Sequence, residues 1–310
     1  MKQTGYMETK RHTNCCLWTL FFLTACVNIM GGCAVAPKKL VVKDVPTPFE
    51  EGAIIDTRTG TSISYEDLMT DIDDARIIYI GEQHTNRAHH EIQLKIIKTV
   101  CEKHPDIAVG MEMFDHTYQR VLDLWSAGEL DQEKFLVKVH WYANWKYNYD
   151  LYGDILSYIK NKNIKLVALN IPFHIPPKIR EGGIENLSDD DKRHLPADID
   201  TSDAAHKAYV ENIFKNHHFS KRVKFEYFYM VQCVWEDAMA ASIAQNRKDE
   251  LMIVLTGNGH IIRKFGIPNR AFRRTDVPFR TIYLAPVGNE IERDVADYIW
   301  VTTANKKRNK

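Results

Sequence analysis

Apolar positions along this chain come in two rhythms. Short unbroken runs of β-branched and aromatic residues, Ile77-Ile78-Tyr79-Ile80, Ile107-Ala108-Val109 and Leu251 to Leu255, show no alternation and predict strands buried on both faces. Between the first two, Ile92, Leu94, Ile96, Ile97, Val100 and Cys101 mark a broad helix face, with Asn86 as its N-cap and Pro105 as its stop. A strand, a helix and a second strand in close succession form a βαβ unit, which requires a parallel sheet. Further strands are expected at Lys165–Leu169, Thr281–Ala285 and Asp297–Val301, with a short hairpin from Ile54 to Tyr65 around Arg58-Thr59-Gly60. Residues from about 115 to 162 and from 204 to 246 read as helical insertions, and the helix Phe225–Ala244 is strongly apolar. The fold class that follows is α/β: a mostly parallel sheet flanked by helices, with a smaller helical subdomain formed by the insertions.

The first residues follow neither rhythm. Lys2, Lys10 and Arg11 precede an uncharged stretch from Thr13 to Pro37, the layout of a secretory leader. Leu23-Thr24-Ala25-Cys26 resembles a bacterial lipobox, so lipidation is expected at Cys26; Cys33 is the alternative, after Met30-Gly31-Gly32. The uncharged run is also long enough to serve as an uncleaved membrane anchor. Residues 1–33 are thus expected as leader, 34–52 as a proline-containing tether and 53–305 as the folded domain. The expected location is the bacterial cell envelope, at the outer membrane.

Composition narrows the partners. Lysine plus arginine equals aspartate plus glutamate, 41 each, so no net field attracts nucleic acid. Four of the six cysteines fall in the leader. Cys101 and Cys233 remain without a CxxC pair, which excludes a zinc ribbon or a thioredoxin-type motif; both are expected in the core.

Chemistry concentrates where strands end. His84 follows Gly81, Glu112 follows Gly110, and His260 follows Gly257-Asn258-Gly259. Polar groups at the carboxyl ends of parallel strands can converge in one crevice. Two imidazoles and a carboxylate suit a divalent transition metal, or activate water without one. His89 and His90, in the first turn of the following helix, are candidates to line the same place; with Glu91 they do not form an HExxH motif. Tyr142, Tyr147, Tyr149 and Tyr152 lie beside Trp141 and Trp145. A tyrosine phenolate is one ligand of haem iron, and such rings could face a porphyrin; the same patch could equally be core or a partner surface. Asp237, set among apolar neighbours, needs a partner. An imidazole of the trio or Arg263 is expected to supply it, or else the carboxylate is exposed.

GEQH at 81–84, HHEIQ at 89–93, GMEMF at 110–114, ALNIP at 168–172, WEDAMA at 235–240 and GNGHI at 257–261 occur in that order. Together they resemble the ChaN family of haem-binding uptake lipoproteins, within the Tiki/TraB and erythromycin-esterase-like superfamily. The resemblance covers roughly residues 70 to 275. It implies an α/β domain with a parallel sheet and a smaller helical domain. It also implies haem bound between two subunits, with a tyrosine on iron and basic or imidazole groups near the propionates. A homodimer is therefore expected. The superfamily's shared residues carry over to His84, Glu112 and His260, which in Tiki-like relatives look metal-binding and proteolytic and in esterase-like relatives look water-activating. A haem or iron carrier is the leading expectation and a metal-dependent hydrolase the alternative.

Overall fold

The structure, a computed structural model, describes residues 38–216, 223–247 and 250–304. Its strands are β1 (Val41–Val42), β2 (Ile54–Asp56), β3 (Thr61–Ile63), β4 (Ile77–Glu82), β5 (Ile107–Asp115), β6 (Lys165–Asn170), β7 (Leu251–Gly257), β8 (Phe279–Pro286), β9 (Glu290–Ile291) and β10 (Tyr298–Thr302). Its helices are α1 (Tyr65–Asp71), α2 (Arg87–Lys103), α3 (Gln119–Ser126), α4 (Gln132–Lys138), α5 (Trp141–Asn144), α6 (Gly153–Asn161), α7 (Ile175–Gly182), α8 (Asp189–Lys192), α9 (Ala204–Asn216), α10 (Phe225–Asn246) and α11 (Ile267–Thr275). One sheet runs β3-β2-β10-β8-β4-β7-β5-β6. The six strands from β10 to β6 pair in parallel, and the β2–β3 hairpin closes one edge antiparallel.

The missing alternation in the strand runs has a direct cause. Ile78, Ile80, Val109, Met111, Ile253 and Leu255 face a core shared with α1, α2, α3, α4 and α6. Their neighbours Ile77, Tyr79, Ala108, Met252 and Val254 face a second core with Met239, Ala240 and Ile243 of α10 and Ile267 and Ala271 of α11. With helices on both faces, both sides of each strand must be apolar. The helices of the first insertion join the first layer, and α10 joins the second. The start of α10 also meets α9 in a small cluster of Val210, Tyr229 and Cys233. Among the described residues no helix is long and apolar enough to cross a membrane.

One stretch differs from expectation, and two buried positions are notable beside it. Residues 40–49 fall within the expected tether, yet Leu40 pairs with Phe49 and β1 pairs in parallel with β9. Leu40 and Val42 are buried with Val295, Ile299 and Val301, so this stretch is packed rather than loose. Asp191, the last of three consecutive aspartates, is buried: its carboxylate accepts from Lys178 at 2.7 Å and closes the capping box of α8 with Ser188. Gly81 lies inside β4. It is required there because a Cβ would stand 2.1 Å from Asn258 Oδ1.

The outer edge of β6 is closed by side chains. The Gln119 amide accepts from Ala168 N at 2.9 Å and donates to Leu166 O at 2.8 Å, while Ser126 Oγ accepts from Leu166 N. Residues 1–37, which include the expected leader with Cys26 and Cys33, lie outside the described residues.

Candidate functional site

His84, Glu112 and His260 meet at the carboxyl rim of the central strands. His84 follows β4 by two residues, and His260 ends a 3-10 turn that follows β7. Glu112 lies inside β5, which runs on to Asp115; the register with β6 slips between Met111 and Asp115, the interval that contains Glu112. Glu112 Oε1 stands 3.5 Å from His260 Nε2. Its Oε2 accepts from Thr256 Oγ1 and from Gly257 N, both at 2.7 Å. Gly257 separates the two sides: a Cβ there would meet His84 Cε1 at 3.1 Å and Glu112 Oε2 at 3.7 Å.

Each imidazole is backed by a second buried carboxylate. His84 Nδ1 donates to Glu82 Oε1 at 2.8 Å. The same Glu82 accepts from the Tyr152 hydroxyl at 2.6 Å and from Gln93 Nε2 at 2.9 Å, and His90 Nε2 stands 3.4 Å away. His260 Nδ1 lies 3.4 Å from Glu236 Oε1, beside the Gln232 amide, which donates to that oxygen. A carboxylate behind a ring nitrogen fixes the ring's orientation and strengthens it as a base.

The electrostatics follow from this pairing. Burial opposes ionisation of Glu82, but the His84 and His90 rings outweigh it and hold the carboxyl well below the usual range. Glu112 is likewise buried, yet His260, His84 and the Gly257 amide bring it down to about 2. Burial would lower His260, but Glu112 and Glu236 outweigh burial and raise it to about 10. His84 is raised against burial by Glu82 and Glu112. The site therefore holds ionised Glu82 and Glu112 with a protonated His260 ring at neutral pH.

His84 and His260 open into a cleft of about 410 Å³ whose far wall is Tyr209, Val210, Ile213, Phe228 and Tyr283. Burial pushes the Tyr209 phenol up to about 12 and raises that of Tyr283. A larger groove of about 570 Å³ sits at the opposite rim, lined in part by Asp56, Arg58, Asp74 and Arg280. Those charges pair with one another, Arg58 with Asp56 and Arg280 with Asp74.

The remaining candidates separate. Tyr152 is fully buried and committed to Glu82, and Tyr149 is buried against Trp141, so neither phenol can reach a ligand. Tyr147 is half-buried with its ring 5.1 Å from that of His84. Tyr142 is 60% exposed and does not line the cleft. His89 does not line it either: buried, it accepts from Gln83 N at 2.9 Å and meets Thr302 Oγ1 at 3.1 Å, and burial lowers it to about 3. His90 lies behind Glu82 with its ring on Tyr152. Asp237 finds neither a trio imidazole nor Arg263. It pairs with Arg270 and Arg274 and accepts from Asp200 N, while Arg263 pairs with Asp294. Its neighbour Glu236, not singled out from the sequence, is the residue that meets His260. Among the described residues no three His, Cys, Asp or Glu side chains are grouped to hold a metal ion. The two Glu112 oxygens are taken by Thr256, Gly257 and His260, which leaves the trio short of the open donor set expected for a metal.

A profile of the family described as haem-binding uptake, Tiki superfamily, ChaN matches residues 68–271. The chain belongs to that family. A solved structure with this architecture is the Campylobacter jejuni ChaN described as showing cofacial haem binding. It is 19% identical, has a TM-score of 0.65, and the match covers 80% of this chain and 95% of that one. At that identity the likeness shows the fold. An erythromycin esterase in its open conformation is 15% identical over 76% of each chain, with a TM-score of 0.44. Among curated proteins, RETICULATA-RELATED 5 of Arabidopsis thaliana, a chloroplastic protein, is 23% identical over 255 residues, 74% of this chain. The match spans about a third (34%) of the length of that relative.

Proposed function

We propose that this ChaN-family chain binds haem in the cleft beside His84 and His260. The observation that carries the reading is the cleft's mixed lining: the imidazoles His84 and His260 together with Tyr209, Val210, Ile213, Phe228 and Tyr283. Its volume of about 410 Å³ falls in the range of small-molecule sites. Haem, if bound, would supply an iron that a phenolate or an imidazole could hold. The phenols that line the cleft are Tyr209 and Tyr283, with Tyr147 beside His84. The protonated His260 ring suits a propionate. Cofacial binding, described for the Campylobacter protein, would pair two haems across two copies; light scattering with and without haemin tests that step.

Haemin titration followed at the Soret band tests the site. Tyr209→Phe or Tyr283→Phe is expected to shift the band or weaken binding, with Tyr142→Phe unchanged. Wild-type binding in the Tyr209→Phe/Tyr283→Phe/His84→Ala variant would place haem elsewhere. The leader pattern supports attachment to the bacterial envelope through Cys26 or Cys33 and a part in haem or iron uptake. Labelled palmitate incorporation, lost in Cys26→Ser, tests the anchor.

A second reading as a hydrolase is favoured by one observation: each imidazole beside Glu112 is backed by a buried carboxylate, a layout suited to moving a proton to or from water. Ester or peptide hydrolysis that disappears in Glu112→Gln would support it.

A further inference from the structure

The carboxylate of Glu236 faces two ways. Its Oε1 stands 3.4 Å from His260 Nδ1, and its Oε2 stands 3.3 Å from His206 Nε2. His206 belongs to α9, and the residues three, four and seven places on are Tyr209, Val210 and Ile213 of the cleft wall. That spacing sets all four on one side of the helix. A wall of the cleft and an imidazole of its floor are therefore fastened to the same fully buried carboxylate.

The two fastenings differ in quality. The start of α9 is firmly held: Asp203 Oδ1 accepts from Ala205 N and His206 N, and Arg270 Nη1 donates to Asp200 O just before it. By contrast, Glu236 Oε2 is buried yet takes part in no hydrogen bond of good geometry. Arg270 Nε, 3.4 Å away, attracts it by charge, and the His206 ring, whose protonation burial disfavours, stands beside it without an aligned hydrogen bond. A buried oxygen in that condition gains from a small shift that aligns the His206 N–H with it. The seat of α9 thus has a better arrangement within reach, and the residues that would move with it are those a cleft ligand touches.

We propose that Glu236 is a positioning residue that makes the filling of the cleft and the seating of α9 interdependent. A ligand pressing on Tyr209, Val210 and Ile213 is felt at His260 through His206 and Glu236, and the orientation of His260 sets how firmly α9 sits. The inference rests on the cleft being the ligand site.

Hydrogen exchange by mass spectrometry on the full chain, with haemin as the probe, tests it in wild type, Glu236→Gln, His206→Asn and the double variant. In wild type, haemin slows exchange across residues 204–216 and 258–264 together. In either single variant, α9 of the ligand-free protein exchanges about tenfold faster, 258–264 loosens with it, and haemin binding weakens several-fold. The double variant adds little to Glu236→Gln, because His206 reaches 258–264 only through Glu236 in this scheme. Wild-type exchange of α9 in both single variants, or effects that multiply, overturns the proposal. If wild type binds no haemin, the cleft reading fails, and the ligand-free exchange of 258–264 alone decides the link to α9. Val210→Ala touches no buried charge and reads the link from the cleft side should the charge variants not melt cooperatively. It is expected to loosen both 204–216 and 258–264, and loosening of α9 alone overturns the proposal.

Discussion

Tyr152 donates its hydroxyl to the same Glu82 oxygen that holds His84, at 2.6 Å and 2.8 Å respectively. The phenol therefore supports the site from behind rather than facing a ligand. Tyr152→Phe leaves a buried carboxylate one donor short and is expected to cost about 1–3 kcal/mol, read from urea unfolding. The Soret band of added haemin should keep its wild-type position, whereas Tyr209→Phe or Tyr283→Phe should move or weaken it. A band lost in Tyr152→Phe with stability intact would restore Tyr152 as a ligand.

Arg270 is buried with Glu236 and Asp237 and pairs with both. Arg270→Met removes one partner and leaves two buried carboxylates. A loss of about 3–5 kcal/mol is expected in chemical denaturation. Arg263→Met, whose exposed partner is Asp294, should change stability by about 1 kcal/mol or less.

Two glycines at the same rim should respond differently to alanine. At Gly81 the added methyl would stand 2.1 Å from Asn258 Oδ1, and that amide donates to Leu284 O at 2.9 Å. Gly81→Ala should destabilise by about 1–3 kcal/mol or more. A methyl added at Gly259 would meet nothing within 4 Å, so Gly259→Ala should be close to neutral. Equal melting temperatures for the two variants would contradict this contrast.

The pH dependence has a defined sign. His260 is raised to about 10 by Glu112 and Glu236 against the pull of burial, while an unperturbed imidazole titrates near ~6.5. A proton bound more tightly in the folded state stabilises it fully below pH ~6.5, and that contribution is lost as pH rises through about 10. Glu112, lowered to about 2, acts oppositely: its contribution is present above the ordinary carboxylate range and is lost as pH falls towards 2. The melting temperature of wild type minus that of His260→Gln should therefore shrink by several degrees between pH 7 and pH 10. A flat difference would show that His260 is not held charged.

The strands are legible because a sheet covered on both faces leaves an unmistakable mark, apolar residues without alternation, in Ile77–Ile80 and Leu251–Leu255. The strand-end trio is legible for a related reason: parallel strands deliver their ends to one rim, and glycine-rich ends mark close approach. Glu82 escapes notice because it stands inside the strand motif, where nothing in the sequence tells a lining residue from a buried support. Glu236 hides behind Asp237 because α10 is buried on nearly all sides, so it has no polar face to show which carboxylate of the pair points where. The tyrosines mislead because ring count does not distinguish a core from a binding wall: Tyr149 and Tyr152 pack inward, while Tyr209 and Tyr283, far apart in sequence, meet only in the fold. The packed stretch at 40–49 reads as a tether because two strand residues are too few to carry a pattern.

The clamp that Gln119 and Ser126 place on β6 bears on how the molecule meets others of its kind. The sheet's last strand has its outward amide and carbonyl groups at Leu166 and Ala168 already spoken for, so it offers no ladder for a stray extended peptide to climb. A second copy could not extend the sheet across Leu166 and Ala168 without first displacing Gln119 and Ser126.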